Sequence, residues 1–431
     1  MPKLKLVTFG CQANELDSER IAGLLGVHGY HICESLEEAD LIILNTCSIR
    51  EKAEQKVYSQ LGRLQALKRR KPEVSIGICG CLAQQEGERL KRRFPSLDLI
   101  AGPQDLYRIP SLLAQARSES ALPILEEEWP DIEPRRESSI KAWVGIMEGC
   151  DNFCSYCVVP HTRGRERSRP MEEILREIEG LQIKGYKEIT LLGQNVNSYG
   201  KGLEPRRTFP ELLHRIDSLA EGRLWVRFAT SHPRDLNENL AEALTLPSIC
   251  EHLHLPVQSG STRTLERMNR GYTREEYLAR VSLVRERVPE IALTTDIIVG
   301  FPGETEKDFQ DTMALLEEVR FDNIFSFKFS PRPRTQAATF PDQLPEEVKA
   351  KRLEQVQGLQ ARVSLEKNRD ILGKEVEVLV EDKEGPILTG RTRQNKVVHF
   401  NGGGFQEGDQ VRVRILEAFP YHLKGEAVHI S

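Results

Sequence analysis

The chain lacks any run of about 18 consecutive apolar residues, so it is not expected to cross a membrane as a helix. It also lacks a cleavable apolar segment behind Met1-Pro2-Lys3-Leu4-Lys5-Leu6-Val7, which runs straight into a strand-like pattern. Positive charge is not in surplus. The formal net charge is −5 over 431 residues, which argues against a protein that coats nucleic acid nonspecifically and confines any RNA contact to local basic patches. Internal repeats and long low-complexity tracts are absent. Nine cysteines in so long a chain do not read as a secreted disulfide framework; in a reducing compartment, clustered ones read as metal ligands. The composition fits two or three domains, a cytoplasmic location, no membrane association and a monomer.

Three of the cysteines fall within eight residues, Cys150-Asp151-Asn152-Phe153-Cys154-Ser155-Tyr156-Cys157. A loop with C-x3-C-x2-C spacing converges its thiolates on one centre. Three soft thiolates suit an iron–sulfur cluster and leave one metal corner without a protein ligand, where a substrate can bind. A structural zinc site usually has four ligands, and His161 is the alternative fourth ligand for one.

The organisation reads as α/β, in three parts. Strand-like Leu4–Thr8, Leu41–Asn45 and Val74–Cys79 alternate with helix-like Leu16–Val27, Lys52–Leu67 and Gln84–Arg93, which implies an open parallel sheet covered on both faces over residues 1–118. Residues 119–137, around the acidic, proline-bearing stretch Leu122–Ser139, read as a linker. Over 138–366, strands at Ala142–Met147, Glu188–Leu192, Trp225–Ala229, His252–Leu255, Leu293–Val299 and Asn323–Phe329 alternate with helices such as Pro170–Lys184, Arg274–Val288 and Thr305–Val319. Six such units match a partial (β/α)6 barrel, whose chemistry belongs at the C-terminal ends of its strands. The cysteine loop follows the first of these strands. A charged helix, Glu346–Asn368, leads out. Residues 367–431 carry short strands at Val376–Val380, Ile387–Gly390, Lys396–Phe400, Val411–Ala418 and Gly425–Ile430, which predict a small antiparallel β-barrel of oligonucleotide-binding shape.

Three further cysteines, Cys11, Cys47 and Cys81, end the three N-terminal strands, in the contexts Gly10-Cys11-Gln12-Ala13-Asn14, Asn45-Thr46-Cys47 and Gly80-Cys81-Leu82-Ala83-Gln84. In an open parallel sheet those strand ends share one edge, so the thiols can meet. Cys33, Cys79 and Cys250 read instead as small hydrophobes. His252 and His254 share a strand face and read as hydrogen-bonded core rather than a metal pair. At the mouth of the barrel, Gln194 and Asn195 end the second strand, Gln258 and Ser259 follow the fourth, and Gly300 closes the fifth, where a glycine lets backbone approach a ligand. Arg163, Arg165, Arg167 and Arg169 alternate beyond the cysteine loop. Arg391, Arg393, Lys396 and His399 gather in one hairpin, and either group reads as a solvated face or as a hold on phosphate.

The stretch Gly149–Pro170, GCDNFCSYCVVPHTRGRERSRP, resembles the cluster loop of the radical S-adenosylmethionine (SAM) methylthiotransferases. The contexts of Cys11, Cys47 and Cys81 match that family's N-terminal motifs, and the C-terminal strands resemble its TRAM domain. The resemblance spans the whole chain in the family's domain order. It implies two 4Fe–4S clusters, one on Cys150, Cys154 and Cys157 whose open iron chelates SAM, the other on Cys11, Cys47 and Cys81. SAM then serves as methyl donor and, once cleaved by one electron, as source of a 5′-deoxyadenosyl radical, with the electron drawn from a partner such as flavodoxin or ferredoxin. Gln194, Asn195, Gln258, Ser259 and Gly300 are the expected SAM contacts, and Arg163, Arg165, Arg332, Arg391, Arg393 and Lys396 the expected RNA contacts. Gly193–Asn197, Phe329–Pro333 and Gly390–Asn395 resemble the MiaB branch, which implies methylthio transfer to C2 of N6-isopentenyladenosine beside the tRNA anticodon. Another branch modifies an aspartate of a small-subunit ribosomal protein, and a noncatalytic metal-containing RNA-binding protein is the more distant alternative. Ala13 stands where the first motif usually has methionine, and Arg334 where the branch usually has glycine.

Overall fold

The structure, a computed structural model, describes residues 1–47, 51–117, 129 and 132–428. Much of the expected linker, and the end of the last expected strand at residues 429–430, therefore lie outside the described residues.

The N-terminal unit runs β1 (Lys3–Thr8), α1 (Gln12–Val27), β2 (His31–Ile32), β3 (Leu41–Thr46), α2 (Glu51–Arg70), β4 (Ser75–Gly80), α3 (Cys81–Arg93), β5 (Leu99–Ala101) and α4 (Ile109–Ala116). Its strands pair in parallel in the order β2-β1-β3-β4-β5. The run Leu41-Ile42-Ile43-Leu44 is apolar throughout because both faces of β3 are covered. Ile42 and Leu44 pack with Val57, Leu61 and Leu64 of α2, while Leu41 and Ile43 pack with Ile21 and Leu25 of α1. β2 and β5, with two and three residues, are too short to show a period and were not legible in the sequence. The crossovers leave β1 in one direction and β3 in the other, so the loops after these two strands flank the point where strand order reverses. Ligands of doubly wound sheets settle at such a point.

The central unit contains β6 (Lys141–Gly145), β7 (Met147–Glu148), α5 (Val159–Thr162), β8 (Arg167–Ser168), α6 (Met171–Ile183), β9 (Glu188–Leu192), α7 (Phe209–Ala220), β10 (Trp225–Phe228), α8 (Glu238–Ala243), β11 (His252–His254), α9 (Thr262–Arg267), α10 (Arg274–Arg287), β12 (Ala292–Val299), α11 (Glu306–Val319), β13 (Asn323–Lys328) and α12 (Glu346–Arg369). The six long-range strands form two parallel sheets, β6-β9-β10 and β11-β12-β13. Backbone bonds from Val226 N to Ser248 O (2.8 Å) and from Cys250 N to Val226 O (3.0 Å) join them into the expected partial barrel. Three of its helices begin with capping boxes, Thr208/Glu211, Thr273/Glu276 and Thr305/Asp308, so their first turns are fixed locally.

The C-terminal strands β14 (Glu375–Glu384), β15 (Ile387–Thr392), β16 (Val397–Asn401), β17 (Gln410–Ala418) and β18 (Leu423–Ala427) close a barrel in the order β14-β15-β16-β18-β17. The expectation of a wholly antiparallel barrel is corrected, because β16 and β18 pair in parallel. A closed ring with an odd number of strands cannot alternate direction all the way round. This barrel sits on the N-terminal ends of the central strands, the end opposite the cysteine loop. Leu379 packs with Ile140, Trp225 and Cys250, and Arg227 donates to the carbonyls of Thr392 and Arg393 at 2.8 Å each.

Candidate active site

Each N-terminal strand that carries a motif ends in a turn that aims a thiol at the shared edge. Cys11 is the N-cap of α1 and Cys81 the first residue of α3, so two of the three thiols lie at helix N-termini, where partial positive charge favours thiolate. Glycines permit the approach. A Cβ on Gly10 would lie 2.8 Å from Cys47 Cβ, and Gly80, at φ +92°, leaves no room for one against the Thr46 carbonyl. Asn14 and Asn45 lock the turns together. Asn14 Nδ2 donates to Asn45 Oδ1 (3.2 Å) and Thr46 O (3.3 Å), Asn45 Nδ2 donates to Asn14 O (2.8 Å), and Cys11 Sγ donates to Asn14 Oδ1 (3.4 Å). The Cys47 thiol hydrogen-bonds to Cys11 and, with help from Arg163, draws its pKa down to about 6, whereas burial pushes Cys81 up. The pattern of asparagines and glycines around these cysteines therefore has a structural reason: it builds the edge on which the thiols meet.

The second thiol set sits on its own loop after β7. Cys150 N donates to Gly164 O (3.2 Å) and Cys157 N to Cys154 O (3.0 Å), closing the loop on itself. Gly149, at φ +74°, leaves no room for a Cβ against the Arg165 carbonyl. The rest of the barrel grips the loop from outside: Ser155 N donates to Met268 O (3.0 Å), Ser155 Oγ to Arg267 O (2.8 Å), and Ala337 N to Ser155 O (2.8 Å). Burial raises Cys150 and pushes Cys157 up to about 12. Arg270 faces them. It is buried, donates from Nη1 to Cys154 Sγ at 3.3 Å, and is held by Pro256 O (2.8 Å) and the Tyr272 hydroxyl (2.9 Å). The sequence reading missed Arg270, because Asn269-Arg270-Gly271 looks like an ordinary helix end. Among the described residues no three His, Cys, Asp or Glu side chains converge as closely as a single metal ion needs. A four-iron cluster asks for less, since each thiolate takes its own iron. His161 is exposed.

The two sets face each other across the junction of the units. Helix α5, two residues after Cys157, packs on α3, which Cys81 begins. Thr162 hydrogen-bonds to the Cys81 thiol. Ion pairs span the junction from Arg20 to Glu148 (3.0 Å), Arg163 to Asp17 (2.6 Å) and Arg332 to Glu54 (2.8 Å). A cavity opens between the units, lined by Ala13, Asp17, Arg20, Met147, Arg163 and Gln194.

Beside the cysteine loop, at the C-terminal ends of β9 and β10, five buried polar atoms have no partner among the described residues: Gln194 Oε1, Asn195 Oδ1, Asn197 Oδ1, Ser231 Oγ and His232 Nε2. Buried polar groups are almost always satisfied, so such a concentration marks where a polar ligand belongs. His232 accepts from Arg234 N at Nδ1 (3.3 Å), which leaves its proton on Nε2, and burial, with Arg270 and Arg234 nearby, keeps the ring neutral. His232 packs edge-on against Tyr272, which holds Arg270, so the cradle is joined to Cys154 through three side chains. Gln194 and Asn195, expected here, belong to the cradle; Ser231 and His232 were missed. Gln258 and Ser259 lie on the neighbouring sheet. Gln258, at φ +74°, pairs its backbone with Asp296 and Ile298, and Ser259 Oγ lies 3.2 Å from Thr312 Oγ1. Gly300, at φ +69°, donates to Glu304 Oε1 (2.9 Å), and a Cβ there would strike Lys349.

The remaining expectations divide. Cys79 and Cys250 are buried, Cys79 among Leu4, Leu41 and Ile43, and Cys33 is half-buried against Ala39 and its neighbours. His254 Nδ1 and His252 Nε2 lie 3.0 and 3.3 Å from Thr294 Oγ1, as hydrogen-bonded core. Three basic residues need correction as open phosphate contacts. Arg163 is buried against Asp17. Arg393 pairs with Glu251 (2.9 Å) and donates to Ile249 O (2.7 Å), and Lys396 pairs with Asp322 (3.0 Å) and Asn368 (2.8 Å), so both hold the C-terminal barrel to the central one. A charge pattern shows the cations but not their partners. Arg165, most exposed of the set, pairs with Asp151 (2.7 Å), Arg391 pairs with Glu381 (3.4 Å), and Arg332 reaches Glu54. Arg334 is exposed at φ +67°, so the backbone turn that glycine would favour is kept without glycine.

Comparison with known proteins agrees with this geometry. Residues 3–102 match the family described as "Uncharacterized protein family UPF0004", residues 144–316 the radical SAM superfamily, and residues 370–428 the TRAM domain. The chain is 48% identical to tRNA-2-methylthio-N(6)-dimethylallyladenosine synthase of Acetivibrio thermocellus, over 98% of this chain and 90% of that one. It is 48% identical to the protein of the same name from Carboxydothermus hydrogenoformans, over 98% of both. In fold it is similar to the radical SAM methyltransferase TsrM of Kitasatospora setae (TM-score 0.59, 16% identity, 78% of this chain and 77% of that one).

Proposed function

The chain belongs to the family of tRNA-2-methylthio-N(6)-dimethylallyladenosine synthases, and on that premise we propose how its residues divide the work. The reaction is methylthio transfer to C2 of N6-isopentenyladenosine on the 3′ side of a tRNA anticodon. Cys150, Cys154 and Cys157 hold a 4Fe–4S cluster whose open iron takes SAM; Cys11, Cys47 and Cys81 hold a second one. The observation that carries this reading is the packing of α5, which follows Cys157, on α3, which Cys81 begins, so that the elements bearing both thiol sets meet at one junction. A single-cluster enzyme would have no use for a second set of thiols at that junction.

When bound, the cofactors supply one-electron cleavage of SAM and a sulfur that can carry a methyl group, chemistry that no side chain provides. The chain's own residues bind and orient. Arg270 donates to Cys154 Sγ and fixes where that sulfur sits. The unpartnered atoms of Gln194, Asn195, Ser231 and His232 offer hydrogen bonds to the polar methionyl and ribose groups of SAM. Gly80 and Gly149 let backbone turn tightly beneath each thiol set. The target base, splayed from the anticodon loop, enters between the units, with Arg165 and Arg391 as candidate phosphate contacts. A low-potential electron donor such as flavodoxin or ferredoxin docks on a monomer. Among the described residues no helix is long and apolar enough to cross a membrane.

The test is anaerobic incubation of cluster-loaded protein with SAM, dithionite and tRNA bearing N6-isopentenyladenosine, followed by nucleoside mass spectrometry. The 2-methylthio nucleoside is the expected product. Formation of 5′-deoxyadenosine with the nucleoside unmodified would overturn the tRNA substrate and make the ribosomal aspartate the next one to try.

A further inference from the structure

The sequence around Arg163 places it in the basic run after the cysteine loop, but the fold carries its side chain into the N-terminal unit. Arg163 is 9% exposed and its Nη2 donates to Asp17 Oδ2 at 2.6 Å. Asp17 is 5% exposed and sits on α1, six residues after Cys11. Next to Arg163, Thr162 hydrogen-bonds to Cys81, and Gly164 leaves no room for a Cβ against Gln104, so this turn is moulded to the N-terminal unit. The arginine thus arrives from the segment that follows one thiol set and places its charge in the unit that bears the other.

The pair lies among the elements that carry the N-terminal thiols. Arg163 follows α5, which packs on α3 and its first residue Cys81, Asp17 lies on α1, whose N-cap is Cys11, and Ala13, Asp17 and Arg163 line one cavity. A buried charge is poorly screened, so its field is felt strongly by a neighbouring cluster.

We propose that the Arg163–Asp17 pair is a positioning device of opposed charges that sets the reduction potential of the cluster held by Cys11, Cys47 and Cys81. This inference rests on the two-cluster reading above. The cluster becomes one unit more negative when it gains an electron. Arg163 favours that state and raises the potential, while Asp17 disfavours it and lowers the potential. The electron in the experiment comes from dithionite, which is oxidised to sulfite.

The test is a mediated redox titration of the full-length, two-cluster protein, followed by electron paramagnetic resonance, on wild type, Arg163→Gln and Asp17→Asn. Iron content is measured first. About eight irons per chain are expected for two four-iron clusters, and about four would overturn the two-cluster reading and this inference with it. With iron at full loading, R163Q is expected to shift the N-terminal cluster to a more negative potential and D17N to a less negative one, with the Cys150/Cys154/Cys157 cluster unmoved. Shifts of the same sign, or none, would overturn the inference, since a purely structural role has no reason to respond oppositely to the two changes. If R163Q fails to assemble its cluster, D17N decides alone: an upward shift supports the inference and an unchanged potential sinks it.

Discussion

The two thiol sets reach the junction of the units by opposite routes. Cys150, Cys154 and Cys157 share one eight-residue loop whose backbone closes on itself through Cys150–Gly164 and Cys157–Cys154 hydrogen bonds. Cys11, Cys47 and Cys81 come from three strands and meet only because β1, β3 and β4 lie side by side in a parallel sheet. A local site depends on a few turns and on what grips the loop from outside. An assembled site depends on the whole sheet, and in particular on the Asn14–Asn45 bonds that tie one turn to the next. Damage to the fold should therefore reach the N-terminal thiols before it reaches the loop.

The largest contrast comes from removing one thiol of each set. Cys154→Ala is expected to abolish 5′-deoxyadenosine formation and the methylthio product together, with loss of about four irons. Cys81→Ala should remove a similar amount of iron and the product, yet leave SAM cleavage by dithionite in place. Equal loss of SAM cleavage in both variants would show that the sets are not separate centres.

A smaller change separates assembly from ligation. Gly80→Ala keeps all six thiols but forces a Cβ towards the Thr46 carbonyl at a positive φ, at a cost of about 1–3 kcal/mol or more. Denaturant unfolding should show that loss. Iron analysis should show the N-terminal cluster depleted while the SAM-dependent signal of the loop cluster persists. Unchanged iron in this variant would mean that the assembled site tolerates displacement of its strand ends, and the contrast would fail.

The mildest probe needs no mutation. In metal-free, reduced protein the Cys11 pKa lies near 6, while burial raises Cys81 and Cys150 and takes Cys157 to about 12. At pH 7 Cys11 is mostly thiolate and the three raised thiols are not. Brief alkylation followed by peptide mapping should label Cys11 well before Cys157, since the thiolate is the nucleophile. Lowering the pH to 5, below the Cys11 value, should protonate most of it and slow its labelling about tenfold. Faster labelling of Cys157 at pH 7 would contradict the geometry of the Cys11–Cys47 pair.

Legibility in the sequence follows the same division. The C-x3-C-x2-C loop, the capping boxes of α7, α10 and α11 and the alternation of β15 and β17 are short-range patterns, and each is plain in the chain. Edge strands β2 and β5 left no periodic trace. Neither did Arg270, whose partners Cys154, Pro256 and Tyr272 are spread over more than a hundred positions of sequence. The basic residues were visible as charge, but Asp17, Glu251 and Asp322, which neutralise Arg163, Arg393 and Lys396, lie far away in sequence.

By itself, then, the sequence determined how the thiols are grouped, because thiol spacing and turn chemistry act over a few bonds: six cysteines in two sets, an α/β frame around them and a small closing barrel. Only the tertiary structure decided how they are used. It brought three strand ends to one edge and turned α5 onto α3 so that the elements bearing the two sets meet. It concentrated five unpartnered polar atoms beside the loop, and it buried Arg163 where a surface contact had been expected. Those outcomes depend on burial and on partners distant along the chain, and a field between two charges is fixed by their separation in space, which no local pattern records.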